Sequence, residues 1–203
     1  MAREVKQPPT EAAFWQWFRD NADRLHTAIG HDEEAVLSEL VTALRRVHRG
    51  LTCELGPRDD GSCELVISAD GKRDLFPVVR HLVDTAPDVP GWIIIAFRQP
   101  KGTQYSISFG TTTLHPDTIW FRLRPEKKGR VGVELYMAGL TSGNRQAFEH
   151  AAILLLDAAL GEYTVETRIG SITCQPLPVA PEQRGLRIFH DLPHIVSGWT
   201  PSA

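Results

Sequence analysis

The spacing of the apolar residues changes period at Gly50, so the chain must build both a helical layer and a sheet. Before that point Phe14, Trp17, Phe18, Asn21, Ala22 and Leu25 share one broad helical face, with Trp15 at its edge. Thr10 and Glu11 supply the start signal, a capping hydroxyl and an acid where the helix dipole favours negative charge. Gly30 interrupts the pattern, and Asp32, Glu33 and Glu34 open a second helix. Its apolar stripe is Val36, Leu37, Leu40, Val41, Leu44 and Val47, with Arg45, Arg46 and Arg49 toward its C-terminal end and Gly50 as its stop. The spacing predicts a helical hairpin over 10–50, preceded by a loose polar arm at 1–9.

From Leu51 onward the pattern is that of strands. Leu51, Cys53 and Leu55 alternate with polar neighbours, Pro57 to Gly61 forms a turn, and Leu65, Ile67 and Ala69 line the return strand. A helix follows over about 74–86, with Pro77 in its first turn, where the missing amide costs little. Trp92 to Phe97 is apolar on both faces, the mark of an interior strand. A similar order recurs. Ile119, Phe121 and Leu123 precede a turn at Pro125 to Gly129, and Val131, Val133, Leu135 and Met137 return. A helix apolar nearly all round covers 145–160, and Tyr163, Val165, Thr167 and Ile169 alternate as a strand. One constant offset pairs Pro57 with Pro125, Gly61 with Gly129 and Gly71 with Gly139. The length allows one generous domain or two small ones. The predicted fold is a single α+β domain: the helical hairpin, then a mostly antiparallel sheet from two possible ββαβ pseudo-repeats at 51–98 and 118–176, with helices packed on one face. Residues 99–117 connect the two, with one further strand around Tyr105 to Phe109, and 177–203 form an extended tail.

Composition narrows the chemistry. The chain carries 22 basic and 25 acidic residues, a net charge of −3, so no bulk charge favours nucleic acid. No apolar run approaches the roughly 18 residues of a membrane span. The segment MAREVKQPPT lacks the apolar core of a secretory signal. Three scattered cysteines form no disulfide framework. These features predict a reduced, cytoplasmic protein without membrane or nucleic-acid partners.

Individual residues suggest sites. His190 and His194 have a metal-ligand spacing, but Pro193 between them disfavours a helix continuing from the preceding residues, and no third ligand is near; no metal and no cofactor are expected. His115-Pro-Asp117 offers a base and an orienting acid without a nucleophile motif, and Cys174 has no nearby histidine. Ser142-Gly143-Asn144 reads as a helix cap. Trp120, Arg122 and Arg124 share one strand face that could hold an anion or a single nucleic-acid strand, but cross-strand pairing with Glu134 and Tyr136 is the favoured explanation. Trp15 and Trp120 are the residues the aromatic surplus offers to a protein partner.

The segments FWQWF (14–18), ELVISADG (64–71), FPVVRHLVDTAP (76–87) and GWIIIAFR (91–98) resemble those of a family of uncharacterised bacterial proteins. The resemblance covers the first half of the chain. It implies a bacterial, intracellular protein and transfers no catalytic residue. The function expected from sequence is therefore a protein-interaction module, an adaptor, chaperone-like or immunity-type binder, with self-association also open. The alternative is an enzyme or small-ligand binder with its site at the junction of the repeats, where Arg98, His115, Asp117 and Arg122 are the expected polar residues.

Overall fold

The computed structural model describes residues 11–199 and is an α+β protein. The expected cap at Thr10 and the arm at 1–9 lie outside the described residues. The chain divides into two compact units between Arg98 and Gln99, each with its own apolar core.

The N-terminal unit opens with α1 (Glu11–Val47), a long helical element broken at Asp32, where the backbone leaves helical geometry. The chain bends there. Arg24 and Glu39, fifteen residues apart, are paired at 2.6 Å, whereas a straight helix would hold them about 22 Å apart. Asp32 also accepts the amide of Ala35, the capping bond that starts the second segment. The hairpin expected over 10–50 is thus one interrupted element, its break at Asp32 rather than Gly30.

Next come β1 (Thr52–Pro57) and β2 (Cys63–Ser68), an antiparallel pair whose register sets Cys53 opposite Ile67. A short 3-10 turn leads into α2 (Phe76–Asp84), with Pro77 at its start, and β3 (Trp92–Ala96) returns parallel to β2. The sheet order is β1-β2-β3, so β3 lies at an end of the sheet and not inside it. Trp92 is buried, Ile93 is 37% exposed, and Ile94, Ile95 and Ala96 are half-buried. The apolar run marks side chains that are mostly covered, but side-chain polarity says nothing about which strand occupies the middle of a ladder. The core lies between α1, α2 and the sheet. Phe18, fully buried, stacks edge-on against Trp92 at 5.0 Å.

The C-terminal unit starts with a loop and the hairpin β4 (Ile107–Phe109) and β5 (Thr112–Leu114), a sheet of its own that packs on α3 (Arg145–Leu160). Then β6 (Trp120–Pro125) and β7 (Val131–Met137) pair antiparallel, with Trp120 opposite Tyr136 and Arg122 opposite Glu134. Residues 162–168, expected as a strand, form the helix α4 (Glu162–Arg168), and the strand β8 (Ile169–Pro176) begins where that expectation ended. The buried positions Glu162, Val165 and Ile169 recur three and four residues apart, a helical period that the β-branched residues mask. The tail is not extended throughout: β9 (Arg187–Ile188) pairs with β6, and α5 (Leu192–Ser197) follows. The sheet order is β8-β7-β6-β9, with β7 and β8 parallel. The described strands therefore form three separate sheets where sequence predicts one. α3 buries Ala151, Ala152, Leu155 and Leu156 but leaves Ile153 and Leu154 each 44% exposed, so it is not apolar-covered all round.

Candidate functional site

In the C-terminal unit, three segments distant in sequence meet at His190. The first is the loop before β4. The amides of Lys101 and Gly102 both donate to the Ala158 carbonyl in the last turn of α3, which has few intrahelical donors left. Gly102 has φ +97, a conformation side chains rarely adopt, and Gln104 closes the bend by donating to the Lys101 carbonyl at 3.1 Å. Thr103 is thereby fixed at the apex. The second segment is the 3-10 turn Pro116–Thr118, held by the Thr118 amide and hydroxyl, each 2.9 Å from the His115 carbonyl. It presents Asp117. The third is the 3-10 turn Phe189–Asp191, where Phe189, fully buried, donates its amide to the Ile119 carbonyl at 2.9 Å. That bond, beside the β6–β9 pairing, sets His190 against Asp117.

The resulting chain of contacts is short. His190 Nε2 lies 2.6 Å from Asp117 Oδ1, and its Nδ1 lies 2.7 Å from Thr103 Oγ1. A carboxylate only accepts, so in the neutral ring Nε2 carries the proton and Nδ1 is left to accept from the Thr103 hydroxyl. The Asp117 side chain is 85% exposed and that of His190 37%. Beside Thr103 opens a cleft of about 830 Å³, bordered by Lys101, Thr164, Thr167, Arg168 and Ser197, with Leu160 and Tyr163 as its apolar wall. None of the described residues lining it is acidic. Arg168 donates to the carbonyls of Val196 (2.9 Å) and Ser197 (3.2 Å), which fixes its guanidinium at the end of α5.

The other residues named from sequence are dispersed. Arg98 is held by Glu54 and, at 3.5 Å, by Asp70. His115 Nδ1 is 2.7 Å from Ser106 Oγ, and Arg122 donates to the Arg184 carbonyl at 2.6 Å. Of the four, Asp117 alone belongs to the His190 chain. Glu134 takes both Arg124 and the Tyr136 hydroxyl, and the Arg124 hydrogen bond pulls its carboxyl below the usual range; burial, with Glu134 beside it, raises Tyr136. Cross-strand pairing therefore accounts for this face. Trp120 is half-buried, flanked by Tyr136 and Ile188 in register.

Trp15 is not offered to a partner: it is 4% exposed, and its indole donates to the Leu82 carbonyl at 3.0 Å. A surplus aromatic can equally fill the space between two helices. Pro193 stands in the first turn of α5, where proline is tolerated, and His190 precedes that helix in the 3-10 turn Phe189–Asp191, so no α-helix runs through both histidines. His190 is taken by Asp117 and Thr103, and no group of three or more His, Cys, Asp or Glu among the described residues has metal-binding geometry. Asn144 stands at the start of α3, but its side chain closes the preceding turn, accepting from the Thr141 amide and donating to the Gly139 carbonyl. No described helix is long and apolar enough to cross a membrane. The pairing of Asp117 with His190, 73 residues away, leaves no local mark in the sequence.

The chain is thus an α+β protein of two units, the second of which carries a polar cleft beside an Asp–His–Thr chain. Comparison with protein-family models, with curated proteins and with solved structures gives no match.

Proposed function

We propose that the C-terminal unit binds a small anionic ligand in the cleft beside Thr103. The observation that carries this reading is the lining: Lys101 and Arg168 with the hydroxyl residues Thr103, Thr164, Thr167 and Ser197, and no described carboxylate to oppose a negative charge. The apolar wall of Leu160 and Tyr163 suits a short carbon skeleton, so a small carboxylate fits the cleft better than a bare inorganic ion. Isothermal titration of the full chain with succinate tests it. Succinate is expected to bind with Kd below about 10 mM, and Lys101→Ala to weaken it roughly tenfold, the loss of one charged hydrogen bond. No heat of binding, or equal affinity in the variant, removes the reading.

A second reading, a protein-interaction module, is supported by one surface. Phe109 (42% exposed) packs its ring 5.0 Å from His150, and Ile153 and Leu154 follow on the same helix. Sedimentation of the purified chain at rising concentration, with Ile153→Glu as control, separates self-association from a monomer. We also propose that the two units arose by duplication. In each, the second strand of a hairpin is central and a helical connection returns parallel to it, with left-handed glycines at Gly61 and Gly129 and at Gly71 and Gly139.

A further inference from the structure

We infer that Thr103 is the nucleophile of an ester hydrolase, with His190 as general base and Asp117 as the group that orients it, acting on small esters that carry a free carboxylate. The inference rests on the anion-binding reading of the cleft, which supplies the carboxylate preference. Three features carry it. The hydroxyl, the imidazole and the carboxylate stand in series at 2.7 and 2.6 Å, the arrangement by which a base activates an alcohol. Asp117 on Nε2 fixes the tautomer that leaves Nδ1 free to take the Thr103 proton. Thr103 and Lys101 both line the cleft, so a ligand held there lies beside the residue that carries the nucleophile.

The step balances with water as the only co-reactant. Thr103 Oγ1 attacks the acyl carbon while its proton passes to His190 Nδ1. The leaving alkoxide takes that proton and departs as an alcohol, leaving an acyl ester on Thr103. Water, deprotonated by the same nitrogen, attacks this ester, and the carboxylic acid leaves as Thr103 regains its proton. The openness of Asp117 and His190 admits the water that the second half needs.

The experiment compares hydrolysis of 4-nitrophenyl hydrogen succinate and neutral 4-nitrophenyl acetate by the full chain. Acid-quenched samples are digested and searched for an acyl group on the peptide containing Thr103. The wild type is expected to favour the succinate ester, to exceed the buffer rate at least ~tenfold, and to carry the adduct at Thr103. Thr103→Val, which keeps the shape and removes the hydroxyl, should fall to the buffer rate. Thr103→Ser should retain activity, which separates lost chemistry from lost folding. Asp117→Asn should lower kcat with KM little changed, because the ring can then turn its other tautomer toward Thr103. A wild-type rate equal to buffer, an active Thr103→Val variant, or an adduct at another residue overturns the inference. Succinate calorimetry distinguishes the failures: binding without turnover removes the hydrolase alone, whereas absence of both removes the anion cleft as well.

Discussion

Trp15 and Thr85 should be coupled through a carbonyl that neither touches in the sequence. Leu82 lies in the last turn of α2, fully buried, and the Ala86 amide that could have reached its carbonyl bonds Val83 instead. The Leu82 oxygen accepts from the Trp15 indole at 3.0 Å and from the Thr85 hydroxyl at 3.1 Å. Either donor alone keeps it satisfied. Trp15→Phe therefore loses one hydrogen bond, about 1 kcal/mol, and a strip of apolar contact worth about another 1 kcal/mol. Thr85→Ala loses about 1 kcal/mol, since its hydroxyl also reaches the His81 carbonyl. The double variant strands a buried carbonyl, which adds about 1–2 kcal/mol beyond the sum. Urea unfolding followed by far-UV circular dichroism, fitted with a transition for each unit, measures the cycle. A double variant within about 0.5 kcal/mol of additivity would refute the shared carbonyl. A Trp15→Phe variant of unchanged stability would return Trp15 to the surface role that its burial denies it.

Three further outcomes follow from burial and charge. Leu65→Ala, in the central strand and fully buried, should cost about 3–5 kcal/mol, and Ile94→Ala, half-buried at the end of the sheet, about 1–2 kcal/mol; equal costs in urea melts would contradict the strand order. Glu134 has a folded pKa below its unfolded value, so its contribution is present above the unfolded pKa and fades as pH falls through the folded one. Glu134→Gln should lower Tm at pH 7, with the gap to wild type closing in strong acid; a gap that widens as pH falls reverses the sign and the argument. Burial pushes Cys53 up to about 12 and Cys174 to about 11, so native protein at pH 8 should resist a thiol reagent at both positions until denatured, with immediate reaction of either in the native state as the contrary result.

What the sequence disclosed was local. The turn at Pro57 to Gly61, the strands either side of it, the pair Trp120–Pro125 and Val131–Met137, and α3 over 145–160 all follow from periods and punctuation within about ten residues. What it concealed was relational. Trp92 to Ala96 shows that its side chains are largely covered, yet strand order depends on which edge of β2 the crossover reaches. Tyr163, Val165 and Thr167 alternate in hydropathy, but one buried face three and four residues apart decides for a helix. In the sequence Asp117 stands close to His115, whereas its partner is His190, delivered by a two-residue strand too short to carry a pattern. Thr103, a lone threonine after a glycine, has no sequence signature of its own.

The two-residue strand β9 has a consequence for biosynthesis. Arg187 and Ile188 close the sheet of the C-terminal unit, and the residues directly after them carry His190. A chain released from the ribosome before Arg187 would hold the β6–β7 hairpin, the cleft-lining α4 and the loop of Thr103, but neither the Phe189 anchor nor the imidazole. Thr103 and Asp117 would then be present without the ring that joins them. The Asp–His–Thr chain can thus close only once His190 has been made, after both of the segments that it joins.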